Sequence, residues 1–250
     1  AMLQWFLATY TGWQIVSVGH RVVHGGDLYS QPTVVDKQVL EHLTSFIPLA
    51  PLHEPHNVAG IKALQDLMPD VPQVACFDTA FHRSQPEVAQ LFALPRALTA
   101  EGIKRYGFHG LSYEYIARSL PQFTHRADGR IIVAHLGNGA SMAAMVNRKC
   151  VATTLGFSTI DGLVMGTRCG NLDPGVVLHL METKGWSVKD MTRILYKESG
   201  LLGISGISQD MRTLLASDKP EAREAVELFC YRIAREIGSL AAAAGGVDAI

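Results

Sequence analysis

Apolar and polar residues alternate along the chain in blocks of changing period, and each change predicts an element. QIVSVGH (14–20) and QVACFD (73–78) are short apolar runs of the kind that form buried strands. Between them, DKQVLEHLTSFI (36–47) places Val39, Leu40, Leu43 and Phe46 at helical spacing. NVAGIKALQDLM (57–68) predicts a helix capped by Asn57 and stopped before PDVP. SQPEVAQLF (84–92) and LSYEYIARSL (111–120) predict further helices, the latter capped by Ser112. The pattern then switches. RIIVAHL (130–136), SMAAMV (141–146) and CVATTL (150–155) follow one another across short turns and predict a β-meander. Helices resume with GVVLHLMET (175–183), apolar on one side, and with SVKDMTRILYKESG (187–200), where Ser187 and Asp190 form a capping box and Gly200 ends the helix. The longest helix spans 218–246, with Pro220 in its first turn and Val226, Phe229, Ile233, Ile237 and Leu240 along one face. VDAI (247–250) reads as the start of one more buried strand, so the sequence is expected to be a piece of a longer protein.

Composition narrows the class. With 250 residues, 48% of them apolar and 18% charged, the chain can bury a large core in one or two domains. A net charge of −1 gives no basic stripe for nucleic acid. No apolar run reaches the roughly 18 residues of a membrane span. Four scattered cysteines without CxxC spacing read as reduced thiols, which predicts a cytoplasmic protein.

The polar islands carry the chemistry. GHRVVHGG (19–26) sets Arg21 at a strand end, where its fork suits a carboxylate or phosphate; a surface arginine before a turn is the plain alternative. His53 and His56 lie in PLAPLHEPHN (48–57), whose proline favours a loop at a pocket wall over a metal site. Asp78 ends a buried strand in FDTAFH (77–82), as a site carboxylate or as a cap for the next helix. His109 stands in the loop RYGFHG (105–110). GFSTIDGLVMGTRCGNLDPG (156–175) is long, glycine-rich and aperiodic, with Arg168 its one arginine. GISGISQDMR (203–212) reads as another Gly/Ser-rich loop leading to Asp210 and Arg212. AHLGNGAS (134–141) is either a hairpin whose Asn-Gly tolerates positive φ or a phosphate cradle of bare backbone amides. Walker A, GxGxxG and GxSxG patterns are all missing from the sequence. Arginines, histidines and glycine loops after strands suit an anionic, phosphorylated substrate.

GHRVVHGG, CFDTAFH, YGFHGLSYEYIA, AHLGNGAS and GLVMGTRCGNLDPG, in that order, resemble the acetate kinase (acetokinase) family, which includes propionate kinases. The resemblance runs from about Trp13 to Ile250. It implies an α/β fold of the acetate and sugar kinase/Hsc70/actin (ribonuclease H-like) class, with two duplicated domains around a cleft. On that basis residues 1–83 belong to a partial N-terminal domain and 84–250 to a partial C-terminal one, whose core strands start near 130.

By the same resemblance Asp78, His109 and Arg168 are catalytic, and Arg21, Val23, Leu52 and Phe108 bind substrate. His135, Leu136, Gly137, Asn138 and Gly139 form the phosphate loop, and Asp210, Met211 and Arg212 contact the nucleotide. The implied reaction is reversible transfer of the ATP γ-phosphoryl group to acetate, or to another short carboxylate, giving ADP, with Mg²⁺ or Mn²⁺ and a homodimeric enzyme. No nucleic-acid or membrane partner is implied. The family's first strand with its Ser-rich loop, its GIGEN-type loop and a late metal-binding glutamate have no counterpart here, so the metal ligands are expected outside this sequence and the chain alone is expected to be nearly inactive. Thr159 and Ile160 replace a proline-led pair, which leaves acetate and propionate both open. The rivals are a non-catalytic actin-like nucleotide-binding module and a metallohydrolase using His24, His53, His56, His82 and Asp78.

Overall fold

A computed structural model describes residues 2–250. They divide into two compact units, one ending at Phe77 and one beginning at Asp78.

The first unit is built on a small mixed sheet of β1 (Val18–Val22), β2 (Thr33–Val34) and β3 (Gln73–Phe77), in the order β1-β3-β2. β1 runs parallel to β3, from Val18 opposite Gln73 to Val22 opposite Phe77, and β2 is antiparallel. A parallel pair needs a long crossover, and the helices Lys37–Ser45 and Glu54–Leu67 supply it. The sheet and helices enclose Val22, Val39, Leu43, Ile61, Ala75 and Phe77. Two expectations shift. The strand predicted over 14–20 forms only from Val18, and Val16 is exposed, because β1 has a hydrogen-bonded neighbour only where β3 lies beside it. The second helix begins at Glu54, not after an Asn57 cap. Pro55 sits in the first turn, where a missing N–H costs nothing, so it starts a helix and does not hold a loop open.

The second unit carries the predicted meander: β4 (Arg130–Leu136), β5 (Ala140–Val146) and β6 (Lys149–Thr153), all antiparallel. The two turns differ from expectation. The left-handed, two-residue turn is Asn147–Arg148, at φ 51° and 59°, between β5 and β6. In the β4–β5 turn, neither Gly137, Asn138 nor Gly139 has a positive φ. Helix Pro220–Ala243 packs its apolar face on the sheet and on helix Gly200–Ser205. Residues 203–205, read as loop from sequence, end that short helix. VDAI contributes one parallel bridge, Ile131 to Ala249, beside β4. Helix Pro174–Lys184, expected to bury one side, has no buried residue.

Tyr113, Ala117, Ile131, Ala143, Met145 and Cys150 form a core between the meander and helix Gly110–Ser119. Met145 has no solvent exposure. Met145→Ala is expected to cost about 2–5 kcal/mol, because the meander cannot collapse onto the space left. A urea titration checks this: the midpoint falls while the slope stays constant.

Candidate active site

In the second unit the site starts from one main-chain hydrogen bond. The Gly110 N–H donates to the Asp78 carbonyl at 2.8 Å, which ties the residue after β3 to the start of helix Gly110–Ser119. A Cβ at Gly110 would lie 2.2 Å from that oxygen, so only glycine allows the approach. The residue before it, His109, is forced into the left-handed region at φ 62°. Such a conformation is uncommon outside glycine and marks an over-determined position. His109, and not Ser112, is therefore the helix's N-cap residue. Ser112 Oγ instead meets His135 Nδ1 at 3.0 Å. Asp78 is buried and is not the cap of the following turn, where Thr79 stands.

The His109 imidazole stacks on His135, with centroids 4.3 Å apart, and its Nδ1 lies 2.7 Å from Ser141 Oγ. Its Nε2 faces the β4–β5 turn. A Cβ at Gly139 would stand 3.3 Å from that nitrogen and 3.5 Å from Arg168 Nη1. The bareness of Gly139 thus serves close approach, and the turn does not need its φ. Arg168 sits in the long segment between β6 and helix Pro174–Lys184, which forms no regular element but is held by internal contacts. Leu163, Val164 and Met165 bury its middle, and Arg105 pairs with Asp161 at 3.2 Å. Arg168 donates from Nη1 to the Thr159 carbonyl at 2.9 Å and also meets Met165 Sδ through that nitrogen. The Nε and Nη2 edge has no protein partner among the described residues. Burial lowers the Arg168 pKa, and the guanidinium remains a cation.

Beside this convergence lies a cavity of about 570 Å³, lined by Leu136, Gly137, Asn138, Gly166, Leu201, Gln209, Asp210, Met211 and Phe229. The Gly166 N–H donates to the Asn138 carbonyl at 3.1 Å, joining the β4–β5 turn to the Arg168 segment. The two stretches assigned to the nucleotide from sequence therefore share one cavity. Arg212 does not line it; its guanidinium is exposed and pairs with Asp210 at 2.6 Å. Phe108 is fully buried, and its carbonyl lies 2.8 Å from His82 Nε2. Burial pushes His82 down to about 4, so the ring is neutral and serves the core.

In the first unit, Arg21 is exposed on β1, and the buried Val23 follows it. Asn57 holds both: its Nδ2 donates to the Arg21 carbonyl at 3.2 Å, and its Oδ1 accepts from Val23 N–H at 3.1 Å. That is the role of Asn57 in place of the predicted cap. Leu52 is part-exposed ahead of the helix, and His53 is the helix's N-cap residue. Below Val23, the His24 N–H donates to Glu54 Oε2 at 3.3 Å, and both residues are fully buried. Among the described residues no group of three or more His, Cys, Asp or Glu is placed to hold a metal ion.

The acetokinase family model matches residues 6–250. The chain belongs to the acetokinase family. An acetate kinase of Rhodopseudomonas palustris is 60% identical over 251 residues, covering 100% of this chain and 63% of that protein. The crystal structure of a propionate kinase from Francisella tularensis is similar at 41% identity and a TM-score of 0.90, covering 96% of this chain and 63% of the other. That of Porphyromonas gingivalis acetate kinase gives 38% identity and a TM-score of 0.89, covering 99% and 66%. The chain thus spans a little under two thirds of the acetokinase relatives it matches, and over that span it has their mixed α/β fold, as the resemblance implied.

The buried pair beside the acetokinase arginine motif has a pH signature. Burial raises the Glu54 carboxyl to about 8, and the His24 N–H offsets part of that. Burial lowers His24 to about 4 against a smaller opposing effect of Asp27. A carboxyl raised in the folded state loses its stabilising contribution as pH rises from about 4.5 to about 8. A lowered histidine loses its contribution as pH falls from about 6.5 to about 4. Above 6.5 only Glu54 of this pair changes stability, by up to about 1.4 kcal/mol per pH unit. Glu54→Gln keeps an acceptor for His24 N–H and removes the titration. Urea titrations at pH 6.5 and 8, read by hydrogen exchange of the β3 amides, are expected to show a fall in the wild type and a smaller fall in the variant.

Proposed function

We propose that this chain carries the reacting surface of an acetate kinase-type phosphotransferase, which moves the γ-phosphoryl group between ATP and acetate to give acetyl phosphate and ADP. The observation that supports the reading most is the convergence of His109 Nε2 and Arg168 Nη1 on Gly139, beside the cavity shared by Asn138 and Asp210.

The acceptor carboxylate is already ionised near neutral pH, so no general base is required. One carboxylate oxygen forms the new P–O bond, and the bond to the ADP oxygen breaks in line with it. Little covalent work falls to the protein; position and charge carry the step. Arg168 and His109 donate to the equatorial oxygens of the group in flight, where charge is spread. Arg21 binds the carboxylate, with Val23, Leu52 and Phe108 assigned to the alkyl group. Asp78 holds a cationic partner in place. Residues 135–139 and Asp210–Arg212 take the nucleotide, with the exposed Arg212 fork at its edge.

A divalent cation, Mg²⁺ or Mn²⁺, would neutralise charge on the nucleotide phosphates. The described residues offer no cluster that fits one, so no step here depends on it. Cytoplasmic location and a homodimer complete the proposal; no helix among the described residues is long and apolar enough to cross a membrane. Propionate as acceptor is the second reading, favoured by the name of the Francisella relative. The proposal also keeps residues 1–83 and 84–250 as parts of the family's two domains.

Arg168→Ala, made in a full-length acetokinase carrying this sequence, is expected to lower acyl-phosphate formation at least about 10²- to 10³-fold. Trapping the product with hydroxylamine measures it. An unchanged yield would sink the assignment.

A further inference from the structure

One buried hydroxyl lies behind the proposed donor. Ser141 has no solvent exposure, and its Oγ lies 2.7 Å from His109 Nδ1 and 2.5 Å from the Tyr113 hydroxyl. The spacing follows from the elements. His109 and Tyr113 are four residues apart at the start of one helix, so they share a face. Ser141, opposite His135 in the β4–β5 ladder, points at that face. Tyr113 is the larger anchor, fully buried in the core of the unit.

Counting protons gives the chain a direction. Burial raises the Tyr113 pKa, so its hydroxyl keeps its proton. The hydroxyl hydrogen must then go to an acceptor, and Ser141 Oγ is the one side-chain acceptor it meets among the described residues. Ser141 has a single hydrogen of its own, and with Tyr113 donating to it, His109 Nδ1 is the one side-chain acceptor left for that hydrogen among the described residues; an Nδ1–H donating to Ser141 would leave the buried serine hydrogen without one. A ring nitrogen that accepts cannot carry the proton of a neutral imidazole. The proton is therefore on Nε2, the nitrogen that faces Gly139 and Arg168.

We infer that Tyr113 and Ser141 are positioning residues that fix His109 as its Nε2–H tautomer, so that the ring presents a donor, and not a lone pair, to an anionic group beside Gly139 and Arg168. The inference rests on the proposed role of His109 for its catalytic meaning, and on geometry alone for the tautomer. A reversed chain would aim a lone pair at a phosphoryl oxygen, and the two would repel. The left-handed backbone at His109 and the stack on His135 fix where the ring is; the hydroxyl chain fixes what it offers.

The tautomer is read directly from ¹⁵N chemical shifts of labelled histidines in the 250-residue chain at neutral pH, with His109→Gln assigning the signal. The wild type should show a protonated Nε2 and a bare Nδ1. Ser141→Ala should mix the tautomers, and Ser141→Thr should restore the wild-type pattern. Tyr113→Phe, which keeps the ring and its packing, should also mix them, and it serves if the alanine variant fails to fold. In a full-length acetokinase carrying this sequence, Ser141→Ala should lower kcat about 10- to 100-fold and leave KM for acetate unchanged. A wild-type Nδ1–H signal, or an unmixed tautomer in both Ser141→Ala and Tyr113→Phe, overturns the inference. The tautomer needs no turnover, so its result stands apart from the Arg168 test: a fixed Nε2–H with an unaffected Arg168→Ala would remove the function and leave the relay.

Discussion

The hydrogen bond from Gly110 N–H to the Asp78 carbonyl is the constraint on which the second unit's site depends. It brings Asp78 and the helix start so close that no Cβ fits between them. With both ends fixed, the residue between has to turn through the left-handed region, and His109 does so. The turn aims the ring across to the β4–β5 loop, and the helix that follows delivers Tyr113 one turn later to the same hydroxyl. Asp78, His109 and Tyr113 are thus placed by one backbone contact, and the β4–β5 ladder brings Ser141 to meet them.

Much of this was legible in the sequence because it depends on local chemistry. The meander, the Ser187–Asp190 capping box and the long terminal helix follow from period and capping alone. Asp78 stands out at the end of a buried strand, His109 in a short loop beside glycines, and Arg168 in the long glycine-rich stretch. What was not legible depends on the partner across space. Pro55 looks like a loop residue until its place in the first helical turn is known. Asn57 looks like a cap, yet its amide serves the backbone of Arg21 and Val23, more than 30 residues away. Nothing in the sequence points His109 or Tyr113 at Ser141.

The two turns of the meander show the same division. Asn147–Arg148 adopts the left-handed turn that short hairpins favour, without a glycine. GNG adopts none of it, so its glycines answer a different need. At Gly139 that need is room for His109 and Arg168 to approach the backbone. The structure gives the hairpin, and under the proposed function the same turn, with its missing side chains leaving the backbone bare, serves as the cradle.

Electrostatics explains why such a site would be half buried. A carboxylate and a polyphosphate repel, and water would screen both the repulsion and any attraction meant to offset it. Withdrawing Arg168 from solvent strengthens its hold on an anion, at the cost of desolvating a cation. The Thr159 carbonyl meets part of that cost by accepting from Nη1, and it also orients the fork so that the Nε and Nη2 edge stays open. An imidazole N–H beside it adds a directed hydrogen bond. Under the proposed chemistry, a cationic fork and a tautomer-locked imidazole divide the work: one supplies the field, the other a directed hydrogen bond where charge accumulates.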